Sequence, residues 1–227
     1  MIPVRDASRA KTRLVAPQGV EHAELVRAMA RDVVEAVTGA GAQVVLVTDD
    51  PVLAALGDAR VSIVPDPALD GAGGGLGAAI DAGLSTVAAG NPAAVLLGDV
   101  ACLGAEDVVE LLREAAALGR PGGPDEPATV FVRDATGTGT TLLAGVRGAL
   151  RPRFGDDSAS AHAQVAVEIG AHLPRARRDV DTADDLADAV GLGVGRHTAA
   201  LLGGIRPEGR PSAESSERRE RNARREG

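Results

Sequence analysis

Short apolar runs alternate along the chain with longer amphipathic segments. Val44–Val47, Val61–Val64 and Ala93–Leu97 are runs of four or five residues that close on Thr48-Asp49-Asp50, Pro65-Asp66-Pro67 and Gly98-Asp99. Runs this short and apolar predict strands covered on both faces. Between them, Glu24–Val37 carries Leu25, Met29, Val33 and Val37 on one helical stripe, and Leu76–Val87 and Glu106–Ala117 follow the same period. Further on, the pattern predicts strands near Ala128–Val132 and Thr140–Ala144 and a helix around Ser158–Ile169. A last helix, carrying Leu186 and Val190, opens on the capping arrangement Thr182-Ala183-Asp184-Asp185. Strand alternating with helix predicts an α/β chain with a mostly parallel sheet and helices on both faces. Ligands of such sheets sit beyond the carboxyl ends of the strands.

Composition narrows what the sheet can serve. The chain has 227 residues, enough for a substantial core, and its 24 basic against 32 acidic residues leave a net charge of −8. That charge offers no field for nucleic acid, and Phe131 and Phe154 are the only aromatic side chains available for stacking on bases. Cys102 is the sole cysteine, so disulfides and thiolate zinc cages are excluded. No apolar stretch approaches the ~20 residues of a membrane span and no leader is read at Met1, so a cytoplasmic location is expected. Residues 206–227 hold seven Arg and five Glu with no apolar face, which predicts a disordered, charged tail after a single domain over residues 1–205.

The strand-end rule singles out Asp49, Asp50, Asp66 and Asp99 and, ahead of the last helix, Asp179 and Asp181. Carboxylates gathered at one sheet edge suit Mg2+, which takes one or two of them and completes its shell with water and substrate phosphate. Asp also forms turns and caps. That reading is taken for Asp49 and Asp50, whereas Asp99, directly after the most apolar strand, is taken as functional. Gly71–Gly77 contains a GxGxxA pattern, but Pro65–Asp70 separates it from the strand before, so it reads as a loop or helix entry and not as a dinucleotide fingerprint.

Lys11 is the one lysine among 24 basic residues and lies among Arg5, Arg9 and Arg13. A compact ammonium suits a phosphate in a crowded loop where a planar guanidinium does not, the alternative being a chance survivor. Thr136-Gly137-Thr138-Gly139-Thr140 places hydroxyls and backbone N–H groups where they can converge on an anion, or forms a plain hairpin turn. In Phe154–Ser158, Ser158 is positioned to cap a helix starting at Ala159.

Taken in order, Ile2–Leu14, Leu96–Leu103, Arg133–Leu143, Arg153–His162 and Asp179–Leu186 resemble the signatures of the phosphoenolpyruvate and 2-phospho-L-lactate guanylyltransferases of coenzyme F(420) biosynthesis. The resemblance implies a GT-A-like α/β/α fold and the joining of GMP from GTP to the phosphate of a three-carbon acid, with release of pyrophosphate. It also implies that Thr140, Gly155 and Ser158 hold the phospho-acid and that Asp99 and Asp179 hold Mg2+. Lys11, with Arg5 or Arg13, then faces the nucleotide phosphates, and Asp181 stands behind the metal or shares it. Gly77 stands where the family carries Asn near the base, Val100-Ala101 replaces Leu-Pro, and Ala161 replaces an Arg. The Gly77 difference predicts a weaker preference for GTP over ATP than the family pattern implies.

The Arg-, Ala- and Gly-rich composition suggests a high-GC genome, for which the resemblance leans towards phosphoenolpyruvate. A homodimer is admitted; nucleic acid and membrane are not expected as partners. Of the rivals, a molybdenum-cofactor or sugar nucleotidyltransferase would carry a Gly-rich loop after its first strand, which Ile2–Leu14 is not. A non-catalytic nucleotide-binding relative is the reading that Gly77 and Ala161 would favour.

Overall fold

The apolar runs pair as their burial requires. In the computed structural model, which describes residues 1–7, 11, 13–67, 75–118 and 129–203, β1 (Ile2–Pro3), β2 (Val44–Val47) and β3 (Val61–Val64) lie side by side and parallel. A second group holds β4 (Pro92–Leu96), β5 (Val130–Arg133), β6 (Thr140–Val146) and β7 (Val167–Glu168) in the order β4-β6-β5-β7. Met1 joins the two: its nitrogen donates to Ala94 O at 2.6 Å and its carbonyl accepts from Leu96 N at 3.1 Å. Bonding to residues two apart on the neighbour is the parallel pattern. The sheet is therefore β3-β2-β1-β4-β6-β5-β7 with β6 alone running the other way.

Side chains alternate between the faces of this sheet, and both faces are covered. Leu96, Val130, Val132 and Leu142 join a core that includes Val33 and Val34 of α1 (His22–Gly39) and Val108 and Leu111 of α4 (Ala105–Ala117). Their neighbours Val95, Phe131 and Leu143 face the other way, onto Ile80 and Leu84 of α3 (Leu76–Ser85). The two cores are the expected three layers. A third cluster seats α7 (Ala183–Leu192) and α8 (Arg196–Gly203) against Leu25 and Met29 of α1. Buried Asp32 fixes α8 there by accepting the N–H groups of His197 and Thr198 at 2.8 and 2.9 Å.

Most predicted elements stand, and the misses have tertiary causes. The helix expected over Ser158–Ile169 is α5 (Ser158–Ala163) and stops early, because Val167 and Ile169 donate instead to Thr129 O and Phe131 O and build β7 on β5. Asp50 caps the short α2 (Pro51–Ala54), accepting from Val52 N at 2.9 Å and Leu53 N at 3.1 Å, as the turn-and-cap reading expected. Thr182 and Asp185 form the expected capping box. Neither α6 (Pro174–Arg177) nor α8 is legible as a periodic stripe. The tail at 206–227, Gly71–Gly74, Arg9 and Thr12 lie outside the described residues.

Candidate active site

Strand order reverses between β1 and β4, since β2 and β3 extend one side of β1 and β4, β6 and β5 the other. An open α/β sheet forms its ligand crevice at such a point, beyond the carboxyl ends of the strands. The cleft found there has a volume of about 460 Å3 and is lined by Pro3, Arg5, Lys11, Gly75, Leu76, Gly98, Asp99, Asp179 and Asp181, among others. Gly98 lets the two strand ends approach, because a Cβ there would stand 2.5 Å from Val4 Cγ2. Asp99 then emerges on the cleft floor.

Asp179-Val180-Asp181 supplies the opposite wall. In an extended segment, alternate side chains share a face. Val180 is fully buried in the cluster with α7, while both carboxyls line the cleft. Lys11 reaches across and pairs with both Asp99 and Asp181, and Arg13 Nη2 adds a contact to Asp181 Oδ2 at 3.2 Å. Lys11 sits at φ +53°, a left-handed conformation that costs a lysine about 1–2 kcal/mol. The two carboxylates around its ammonium offset part of that cost. Burial alone would lower the Lys11 ammonium, but the charges of Asp99 and Asp181 outweigh it and hold the group above an ordinary lysine.

The remaining charge is unbalanced. Asp99 is 9% exposed, and its Oδ1 is buried with no hydrogen-bond partner. Burial, and then the negative charge of Asp99, push the Asp179 carboxyl up to about 7, with Lys11 only partly opposing. A buried carboxylate with a free oxygen, beside a half-buried one whose ionisation it disfavours, is a donor set suited to a hard divalent cation. Two other clusters of ligating side chains occur among the described residues, Asp32/Glu35/His197 and Glu110/Glu114/His172. Both lie away from the cleft lining, and Asp32 is already spent on α8.

The second half of the site comes from β6. Because β6 runs antiparallel to β4, it begins where β4 ends: Leu97 N donates to Thr141 O at 3.0 Å. Thr140 thus lies at the same sheet edge as Asp99. The loop before it is organised by Asp134, whose Oδ1 accepts Gly137 N at 2.7 Å and Thr138 N at 3.0 Å and whose Oδ2 accepts the Thr136 hydroxyl at 2.8 Å. The charge of Asp134 is also felt at Asp179. Thr140 and Ser158 are buried, and Thr138 O receives Ala159 N at 3.0 Å, which ties α5 to the loop. Gly155, at φ +133°, leads into α5 through a backbone conformation that side chains rarely adopt.

Several expectations change. Ser158 does not cap α5: Asp157, itself left-handed at φ +51°, holds that position, and Ser158 is the first helical residue. Lys11, expected to meet phosphate, is paired here with the carboxylates of Asp99 and Asp181. Arg13 is exposed and meets the cleft only through Asp181. Gly77 is exposed on the first turn of α3, whereas Gly75 and Leu76 line the cleft. Asp134 and His162 join the site without having been among the residues singled out from the sequence. The signal for Asp134 was its place before Thr-Gly-Thr-Gly, where an Asx-type turn forms; that for His162 was its position four residues after Ser158, on the same helical face.

An open sheet with its crevice at the reversal point, acidic groups on the floor and a hydroxyl- and glycine-rich loop beside them defines a nucleotidyltransferase of the nucleotide-diphospho-sugar transferase fold. Consistent with that class, residues 25–168 match the family model of the MobA-like NTP transferase domain. A solved structure from Desulfovibrio desulfuricans G20, assigned as a nucleotide-diphospho-sugar transferase, superposes with a TM-score of 0.58 over 88% of this chain and 91% of that one; at 15% identity the likeness is one of fold. The curated phosphoenolpyruvate guanylyltransferase of Geodermatophilus obscurus is 40% identical over 220 residues, 92% of this chain and 96% of the relative. That of Streptomyces scabiei is 41% identical over 214 residues, 88% and 93% of the two chains. The chain belongs to the phosphoenolpyruvate guanylyltransferase family.

Proposed function

We propose that this protein transfers GMP from GTP to the phosphate of phosphoenolpyruvate, releasing pyrophosphate, as a cytoplasmic step in coenzyme F(420) biosynthesis. The observation that carries the reading is the meeting, at one sheet edge, of an acidic floor with an unsatisfied Asp99 oxygen and the Thr140 loop. One half suits a metal-bound triphosphate and the other a second phosphate. The attacking group is an already ionised phosphate oxygen, so no strong general base is required. The protein has to align two polyanions in line at the α-phosphorus and offset their repulsion.

Thr140, Gly155 and Ser158 hold the phospho-acid through hydroxyl and backbone donors. Lys11 and Arg5 take up charge developing on the departing pyrophosphate, with Arg13 in support through Asp181. Asp99 and Asp179 are the residues that hold Mg2+, which when bound supplies Lewis-acid neutralisation of phosphate oxygens. Asp181 keeps Lys11 in place. Gly77, beside the cleft-lining Gly75 and Leu76, leaves the guanine edge to backbone groups.

The test is kcat/KM for GTP, ATP, CTP and UTP against phosphoenolpyruvate and 2-phospho-L-lactate, followed by pyrophosphate release. Release that requires Mg2+, GTP and phosphoenolpyruvate together is expected. Turnover with a sugar phosphate but with neither three-carbon acid would overturn the proposal.

A further inference from the structure

The molecule's only two phenyl rings both pack on one imidazole. Phe154 meets His162 edge-on at 5.0 Å between ring centroids, and Phe131 lies tilted at 6.2 Å. His162 is completely buried on α5, one turn after Ser158, and both of its nitrogens are engaged. Nε2 lies 2.9 Å from the backbone N–H of Arg153. An amide N–H can only donate, so Nε2 must be the acceptor. The ring proton of a neutral imidazole then resides on Nδ1, which lies 2.9 Å from Thr140 Oγ1. Burial and the nearby Arg153 charge lower the His162 pKa, which favours the neutral ring. A charged ring would set an Nε2–H against the Arg153 N–H.

The consequence falls on Thr140. Its oxygen is occupied as an acceptor by the imidazole N–H, so its own proton must be given elsewhere. An isolated threonine rotor has no such preference. Through its other nitrogen the same ring fixes Arg153 and the segment leading to Gly155, while its helix carries Ser158. We infer that His162 is a positioning residue for the phospho-acid: as the Nδ1–H tautomer it turns the Thr140 hydroxyl into a dedicated donor to the ligand's phosphate and locks the Gly155 segment against it. This rests on the reading of Thr140 as a phospho-acid contact.

A double-mutant cycle on the full chain separates the two claims. Thr140→Val is expected to raise the KM for phosphoenolpyruvate ~10-fold or more, the usual weight of a hydrogen bond to a charged group. His162→Phe, which keeps a ring among the two phenylalanines, should raise the same KM ~5- to 30-fold with the KM for GTP within ~2-fold, and should have a clearly smaller effect on the Thr140→Val background, the remainder being the loosened Gly155 segment. His162→Asn, which keeps a donor near the Nδ1 position, should recover part of the loss. An unchanged phosphoenolpyruvate KM in Thr140→Val would overturn both the cradle and this inference. A raised KM in Thr140→Val with fully additive or absent effects of His162→Phe would overturn the inference alone. Should the variants fail to fold, 15N shifts of the His162 ring in the unaltered protein decide: the neutral Nδ1–H tautomer supports the inference, and a charged or Nε2–H ring contradicts it.

Discussion

Burial and the charge of Asp99 raise the Asp179 carboxyl from 3.8 to about 7, and this has two opposite effects on one residue. Between those values the unfolded chain releases a proton that the folded protein retains, so stability falls as pH rises towards 7 and stays reduced above it. The full difference is worth at most about 4 kcal/mol, and less because water reaches the carboxyl. Asp179→Asn is therefore expected to raise the melting temperature of the metal-free protein at pH 8 by several degrees and to leave it unchanged near pH 4. Turnover should nevertheless fall at least ~100-fold, because the charge that the metal needs is gone. Equal melting temperatures at pH 8 would contradict the burial argument, and near-normal turnover the assignment of the residue. At Gly77 a Cβ meets nothing within 4 Å, so Gly77→Asn should fold normally. It is expected to raise the ratio of kcat/KM for GTP over ATP by ~5-fold or more, an unchanged ratio meaning that the base is read elsewhere.

Among the elements, the loop before β6 depends on one side chain. Removing the Asp134 carboxylate takes the acceptor from the part-buried N–H groups of Gly137 and Thr138 and from the Thr136 hydroxyl, and the loop loses its organising charge at a cost of about 1–3 kcal/mol in all, since water reaches these groups. Asp134→Ala should lower the melting temperature and raise the phosphoenolpyruvate KM more than the GTP KM. Loss of stability with unaltered kinetics would separate the loop from the site. Asp50 is likewise structural: fully buried, it caps α2 and accepts Arg27 Nε at 2.9 Å. Asp50→Ala should destabilise by about 1–3 kcal/mol, because the α2 N–H groups lose their cap while the quarter-exposed Arg27 regains water, with denaturation showing the loss and KM values on the same preparation unchanged.

These elements also mark what a sequence can disclose. Val44–Val47 and Val61–Val64 coincide with β2 and β3 because a four-residue apolar run between polar turns has few other ways to be buried. Asp99 was legible as the first polar residues after such a run often are. The end of α5 was not, since Val167 and Ile169 follow a pattern that suits helix or strand, and only β5, distant in sequence, decides between them. His162 escaped for the same reason: its partners Thr140, Arg153, Phe131 and Phe154 come from separate segments that the sheet brings together.

For the whole molecule, the order β3-β2-β1-β4-β6-β5-β7 is what makes one site from scattered pieces. The parallel strands β1 and β4 open the crevice, and the single reversed strand returns Thr140 to the edge where Asp99 emerges. The sequence read as a mostly parallel sheet predicts the crevice, but the reversal of β6 follows only from its pairing. A site that aligns two polyanions must pass the α-phosphorus of GTP to the acid and not to water. The most direct measurement is therefore to follow GTP labelled at the α-phosphate with phosphoenolpyruvate and Mg2+, separating products by mass. Label in a guanylated phosphoenolpyruvate, with unlabelled pyrophosphate in equal amount, is the predicted result; label recovered only as GMP or as intact GTP would contradict it.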